Sequence, residues 1–212
     1  MQHLEKQKIV IAGGTGFVGQ GIIKALSPDL FDIHSLSRHG FKPGLIDHAT
    51  YHAVDLSQPD QWQHIAANAD WVIDAVGILL PNPIKKQNYH NSSYQPAKNI
   101  IDVLIREPKP KFLFISANSG PFFMKPYLNA KYAVEKEMTK RLPNRSYSVY
   151  PGIIFDKARK SSYIPGIILA HLTWINYFKQ LRPVSRDFFA QEIYHIVLNK
   201  QSVLMHRTVH RE

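Results

Sequence analysis

Residues 9–19, IVIAGGTGFVG, constrain the fold more than any other stretch of the chain. An apolar run over 8–12 stops in glycine, and a helical pattern over 17–26 begins at once, closed by Ser27-Pro28. Gly13, Gly16 and Gly19 recur at three-residue spacing between the two. In a strand–turn–helix setting each glycine has a distinct task. The first permits the tight turn, the second lets backbone N–H groups approach a pyrophosphate, and the third lets the helix pack closely on the strand. The helix N-terminus then meets the anion with free N–H groups and the positive end of its dipole. A glycine-rich turn alone has little specificity. Its place after the first strand makes Gly13, Thr15, Gly16, Phe17, Val18 and Gly19 the expected cradle of a dinucleotide.

The rest of the chain alternates in the same way. Strand patterns fall at 32–37, 51–54, 71–76, 111–116 and 147–150, and helical patterns at 58–68, 92–106 and 127–141. Pro108 and Pro110 bar continuation of the helix over 92–106. Alternating strands and helices predict an α/β fold, a doubly wound parallel sheet of Rossmann type, in which ligands bind at the carboxyl ends of the strands. Residues 151–212 are too few for a second independent domain. They read as loop, helix (about 165–178), loop, helix (about 187–199) and basic tail, a short C-terminal helical cap over the sheet's carboxyl edge. The expectation is a single domain over 1–212.

Composition removes several function classes. The 212 residues include no cysteine, which excludes disulfides, thiolate metal sites and a cysteine nucleophile. The net charge of +10 suits a phosphorylated ligand, a polyanion or an anionic membrane. The basic residues are scattered, however, the densest cluster being Lys157, Arg159 and Lys160, and no nucleic-acid motif accompanies them. No nucleic-acid partner is expected. The pairs His48/His52 and His206/His210 lack a carboxylate at metalloprotease spacing, so no metal is expected. The polar start of the chain is no secretory signal, and the longest nearly apolar stretch, 164–178, is shorter than the roughly 20 residues that span a bilayer. That stretch, flanked by cations, reads as a buried lid helix, with an interfacial helix on anionic lipid or the wall of a channel for a greasy substrate as the alternative. The chain is expected to be cytoplasmic, with peripheral membrane or protein-complex association as a further expectation.

The second strand bears on the cofactor. A site for NAD places an acid about 20 residues beyond the glycines, on the ribose hydroxyls. Here Ser37, Arg38 and His39 stand there instead. A guanidinium suits the 2′-phosphate of NADP, so NADP(H) is favoured over NAD. Asp55, after the third strand, reads equally as an acceptor for the adenine amino group and as a helix cap.

A nicotinamide enzyme also needs a proton donor, and a tyrosine serves if a nearby cation lowers its pKa. A lysine four residues later shares its helix face. Three pairs match: Tyr94/Lys98, Tyr127/Lys131 and Tyr132/Lys136. Pro96 interrupts the first, and Tyr132 lies about 140° around the helix from Tyr127. Tyr127 starts the helix after the fifth strand, at the carboxyl edge where ligands bind, and Ser116 ends that strand. Ser116 can orient a substrate carbonyl there. On position alone, Tyr127/Lys131 reads equally as a helix-start tyrosine beside a solvated lysine.

AGGTGFVG, ISA at Ser116, YLNAKYAVEKE and VYPGIIF together resemble the short-chain dehydrogenase/reductase superfamily, most closely its extended or atypical branch. The resemblance covers nearly the whole chain. Tyr127, Ala130, Lys131 and Glu135 match the pattern of that family's active helix, which selects Tyr127 over the other two pairs. The resemblance implies that Asp55 with Leu56, and Ala75, Val76 and Gly77, line the cofactor. It implies that Pro151, Gly152 and Ile153 border the nicotinamide, and that Lys131 holds its ribose. RPVSRDFFAQEI (182–193) looks like the branch's late substrate-side segment, with a hydrophobic strand before an alanine-bearing helix. Three departures stand out. Ser116 lies close in sequence to Tyr127, so the alternatives are Ser119 as the partner or no serine partner; Tyr150 replaces the arginine often found before the Pro-Gly; and the substrate region is short. Trimmed relatives of this kind include proteins similar to the Rossmann-fold accessory subunit of respiratory complex I and to accessory proteins of ubiquinone biosynthesis. Two functions are therefore expected. One is an NADP(H)-dependent oxidoreductase acting on a carbonyl or hydroxyl of a hydrophobic small molecule, with Tyr127, Lys131 and Ser116 catalytic. The other is an NAD(P)-binding accessory or redox-sensing protein without turnover, linked to quinone metabolism or a respiratory complex.

Overall fold

The computed structural model describes residues 5–120, 124–156 and 182–208. Six strands form one parallel sheet: β1 (Gln7–Ala12), β2 (Phe31–Ser37), β3 (Thr50–Ala53), β4 (Trp71–Asp74), β5 (Lys111–Ile115) and β6 (Ser146–Val149). Their order is β3-β2-β1-β4-β5-β6, and each neighbouring pair is parallel. The order reverses between β1 and β4, and that crevice is where a doubly wound sheet binds its ligand.

β1 is apolar without alternation because both its faces are covered. Ile9, Val10, Ile11 and Ala12 are all fully buried. Val10 and Ala12 face one core, with Leu36, Val72, Phe112 and Phe114. Helices α2 (Gln63–Ala67), α3 (Gln95–Leu104) and α4 (Lys125–Arg141) bring Ile65, Ile100, Leu104, Val134 and Met138 to that side. Ile9 and Ile11 face the other core, with Ile33, Ile73 and Leu113. There α1 (Phe17–Ala25) contributes Ile22 and Ile23, and α5 (Arg186–Val197) contributes Phe189, Ile193 and Val197.

α5 corrects one expectation. It does not lie over the carboxyl edge but fills the second face of the sheet beside α1, and the Trp71 indole N–H donates to the Val197 carbonyl at 3.1 Å. The cause is its apolar stripe: without this helix, β1, β4 and β5 would expose one face. Among the described residues, the tail beyond α5 reaches the carboxyl edge. Tyr150 N–H donates to Leu204 O at 2.8 Å, and Arg207 donates to Ala117 O at 2.8 Å. A parallel pair, β7 (Ile154–Phe155) and β8 (Val184–Ser185), also lies where the residue pattern predicts no strand except by family likeness.

Smaller differences have local causes. β4 ends at Asp74, whose carboxylate accepts the Val76 N–H at 2.9 Å and turns the chain out of the ladder. The helix expected over 92–106 opens with a π turn, His90–Tyr94, and α3 follows with Pro96 in its first turn, where a missing N–H costs little. The segment expected over 58–68 splits into a 3₁₀ turn, Pro59–Gln61, and α2. The helix expected at about 165–178 lies outside the described residues. Among the described residues no helix is long and apolar enough to cross a membrane.

If α5 is a layer of the fold, Phe189→Ala empties a fully buried site and costs about 3–5 kcal/mol. Urea unfolding measures this; a loss near zero would mean that α5 is a detachable appendage.

Candidate functional site

Gly13 makes the turn out of β1 with φ +80°, a conformation that side chains rarely adopt. Its N–H donates to Leu36 O at 2.8 Å, and the Gly16 N–H returns to Gly13 O at 2.9 Å. Gly19 sits one helical turn in. A Cβ there would lie 2.4 Å from Gly13 O and 2.6 Å from Gly14 Cα, so only glycine lets α1 seat this close. α1 has no side-chain cap at Gly16 and no acid in its first turn. The cap position and first turn thus bring no side-chain acceptor of their own to its N-terminal N–H groups, which is the fit that a pyrophosphate requires.

These groups open on a cleft of about 510 Å³ at the β1/β4 crevice. The cleft gathers Gly13, Thr15, Gly16, Ser37, Arg38, Asp55, Leu56, Ala75, Val76 and Gly77 in its wall. Phe17, Val18 and Gly19 form the first helical turn behind it. Arg38 is exposed on the rim and makes no ion pair among the described residues. The Ser37 hydroxyl accepts the Thr15 N–H at 3.3 Å, which fixes the glycine loop to β2. Asp55 is not the cap of the following helical segment, whose N-cap is Gln58. Its carboxylate accepts the Ser57 N–H at 2.8 Å and closes a turn, and it also lines the cleft. The Ser57 bonds, assisted by the charge of Arg38, hold Asp55 below the usual carboxylate range.

The Lys131 ammonium lies over the Tyr127 ring, 5.8 Å from its centroid, but no hydrogen bond joins the three proposed catalytic residues to one another among the described residues. α4 turns Lys131, Val134, Glu135 and Met138 inward and leaves Lys136 exposed, so its inner face carries Lys131 rather than the Tyr132/Lys136 pair. The Lys131 ammonium donates to Ile115 O at 2.7 Å and lies over the Phe114 ring. It sits behind Gly77, where an added Cβ would be 3.7 Å from its Nζ. The Ser116 hydroxyl is buried and donates to Glu135. Tyr127 is half-buried and packs against the Tyr89 ring, 5.7 Å between centroids. Among the described residues no hydrogen bond joins Tyr127 to Lys131 or to Ser116. Burial first, then Tyr89, push the Tyr127 phenol up to about 12. Pro151, Gly152 and Ile153 are placed by backbone bonds: Pro151 O accepts from Asn118 N–H, Gly152 N–H donates to Arg182 O, and Ile153 O accepts from Val184 N–H. They lie outside the wall of the cleft.

Sequence reasoning missed the polar group beneath this site. Glu135 accepts from both Ser116 and Arg207. Arg207 also donates to the Ala117 and Asn118 carbonyls, and it lies over the Tyr132 and Tyr150 rings at 4.7 and 4.3 Å. Asn118 and Thr208 exchange two further bonds, at 2.7 and 2.9 Å. Asp74 was missed as well. It is fully buried, its second oxygen has no partner, and burial lifts it to about 6 against the pull of Lys131. Burial in turn pushes Lys131 down to about 8. Gly14 also has a role: a Cβ there would meet the Ser35 hydroxyl at 2.3 Å. Asp74, at a strand end in WVID, carried the one readable signal, a carboxylate in an apolar run. Of the spaced histidines, His48 bonds Ile23 O at 2.8 Å and His52 bonds His34 at 2.9 Å, while His210 of the second pair lies outside the described residues.

A family model described as the NAD-dependent epimerase/dehydratase family matches residues 9–149. The chain belongs to that family. MIOREX complex component 2 of Saccharomyces cerevisiae is 25% identical to it, over 73% of this chain and 75% of the relative. An uncharacterised chloroplastic protein of Arabidopsis thaliana is 24% identical over 74% of this chain, which spans about half of that relative (53%). Among solved structures, the oxidoreductase ylbE of Lactococcus lactis superposes with TM-score 0.69 at 16% identity, covering 97% of this chain and 100% of that one. UDP-glucose 4-epimerase of Thermus thermophilus in complex with NAD gives 0.66 at 13% identity, over 92% and 76%. These likenesses establish the family's dinucleotide fold, to which the uncapped helix and the glycine turn belong.

The buried Asp74 gives stability a pH dependence. Its folded pKa, about 6, lies above the ordinary 3.8. The stability tied to protonated Asp74 is therefore complete below about pH 4 and lost as pH rises through about 6. Asp74→Asn should be more resistant to urea than wild type at pH 7 relative to pH 4, the difference widening by roughly 2–3 kcal/mol. A difference that does not change with pH would contradict this.

Proposed function

We propose that the chain binds NADP(H) in the glycine-loop cleft and works as a cofactor-binding accessory or redox-sensing protein. One observation carries the reading. The groups that would hold a dinucleotide are open, while those that would process a carbonyl are engaged within the chain. The α1 N-terminus, Arg38 and the cleft wall are available. The Ser116 hydroxyl goes to Glu135, the Lys131 ammonium to Ile115 O, and Arg207 braces both Glu135 and the Ala117 carbonyl. A bound nicotinamide cofactor would supply hydride chemistry; the residues seen here bind and orient it. The α1 N–H groups would take the pyrophosphate and Arg38 the 2′-phosphate. That the Saccharomyces relative is named as a complex component supports a role inside an assembly.

A second reading, an oxidoreductase on a hydrophobic carbonyl or hydroxyl, is favoured by one observation. Tyr127 and Lys131 share α4 at the carboxyl edge, with the Lys131 ammonium 5.8 Å from the Tyr127 ring centroid; against it, burial pushes the phenol up to about 12, where the expected activation by Lys131 would lower it. The two readings separate by assay. Under the accessory reading, wild type incubated with NADPH and a panel of aliphatic and quinone carbonyls consumes NADPH no faster than Tyr127→Phe. Consumption that depends on Tyr127 would overturn it in favour of the oxidoreductase.

The cofactor preference has its own test. Fluorescence titration should show NADPH binding more tightly than NADH. Arg38→Ala should cost NADPH about 1.5–3 kcal/mol, the worth of a bond to a charged group, and leave NADH unchanged. Equal loss for both would remove Arg38 from phosphate recognition.

A further inference from the structure

The loop between β4 and the π turn, GILLPNPIKKQNY over 77–89, is the feature that nucleotide binding does not absorb. Its apolar side chains point outward: Ile84 is 96% exposed, Leu80 63% and Leu79 52%. The tip is nevertheless built rather than loose. Asn82 and Gln87 exchange backbone bonds at 3.0 and 2.9 Å, the Lys86 N–H donates to Pro83 O at 3.0 Å, and the Lys85 N–H donates to the Asn82 side chain at 3.1 Å. The Asn91 amide grips Lys86 O from outside at 2.7 Å. A pinned turn therefore presents one isoleucine flanked by two exposed lysines. Lys85, Lys86 and Gln87 also form part of the cleft's rim, so the tip stands at its mouth.

We propose that this tip is a membrane-docking element, in which Ile84 and Leu80 enter the interface of an anionic lipid bilayer and Lys85 and Lys86 bind its headgroups. The chemistry favours lipid over a protein partner. Protein contact sites are anchored by aromatic residues and arginine and are poor in lysine. This tip has aliphatic side chains and lysines, and the lysine stem can lie along acyl chains while its charge stays with the phosphates. No acid occurs anywhere from 75 to 101, so nothing on this stretch repels an anionic surface. Across the mouth, the loop after β2 carries a smaller copy of the same chemistry, with Phe41 54% exposed beside the exposed Lys42. Docking in this pose turns the cleft mouth toward the bilayer and gives a lipid-soluble ligand a route to the cofactor. The inference stands without the cofactor reading, because it rests on the outer side of the loop.

Flotation of the full chain with vesicles tests it. With mixed phosphatidylcholine and phosphatidylglycerol vesicles, wild type should float at about 0.1 M salt and fall to background near 1 M, as the Debye length shrinks from about 10 to about 3 Å. Phosphatidylcholine alone should bind far less. Ile84→Asp should lower partitioning about tenfold or more, since burying such a side chain is worth one to two orders of magnitude. Its NADPH affinity and circular dichroism should stay those of wild type; Ile84→Ala, with a smaller drop, guards against a folding artefact. Absence of flotation by wild type, or equal flotation of Ile84→Asp, would overturn the proposal. So would a size-exclusion shift abolished by Ile84→Asp without lipid, which would assign the tip to a contact between copies of the chain.

Discussion

Everything about the site depends on how closely α1 is seated on the end of β1. Gly19 rests on the Gly13 carbonyl at a distance no other residue could accept, and Gly13 supplies the left-handed turn that makes this possible. The result is a helix whose uncapped N-terminus points out of the one crevice where the strand order reverses. Gln20 locks the arrangement from the side. Its amide donates to Gly14 O at 2.7 Å and to the Tyr51 hydroxyl at 2.9 Å, and its carbonyl accepts the Ile46 N–H at 2.8 Å. The glycine loop and the loop between β2 and β3 are thereby tied to the first turn of α1. The crevice keeps its shape through its own hydrogen bonds.

The second constraint is the charge buried behind that crevice. Asp74, Lys131 and Glu135 lie within the protein's packed interior, where an unpaired charge costs several kcal/mol. The fold answers with a bridge from its own end. Arg207 reaches back from beyond α5 to Glu135 and to the β5 end, stacked between Tyr132 and Tyr150. This bridge neutralises Glu135 and places Ser116 in its service. Asp74 and Lys131 are left to moderate each other incompletely, which is why one is pushed up and the other down. The same residues that match a catalytic helix thus serve here, first, as a solution to buried charge.

The sheet was legible because its signals are local. An apolar run, a glycine turn and a helical stripe can each be read within about a dozen residues, and β1, α1, β5 and α4 fall close to where such patterns put them. The wall of the cleft was legible for the same reason, since Gly13, Gly16, Arg38 and Ala75–Gly77 all stand near strand ends that the topology must bring to one edge. What was not legible is long-range. Nothing in the pattern of 186–197 says which face of the sheet it covers; that follows from the face left open by α1. Nothing near Ser116 says that its hydroxyl will be taken by Glu135, or that Arg207, about ninety residues away, will complete the group. Burial decides the state of Asp74, and burial is a property of the assembled fold.

The central claim is that the seated, uncapped α1 is a dinucleotide site, and the thermal melt with and without NADPH tests it most directly. At about a hundred times its Kd, a ligand bound only to the folded state adds about 2.7 kcal/mol, which for a chain of this size raises Tm by about 5–10 °C. Gly16→Val should erase that rise while the melt without ligand changes little, because a Cβ at Gly16 meets only Gly13 O, at 3.1 Å, and otherwise points into the cleft. An unshifted melt for wild type, or an equal shift for Gly16→Val, would contradict the account.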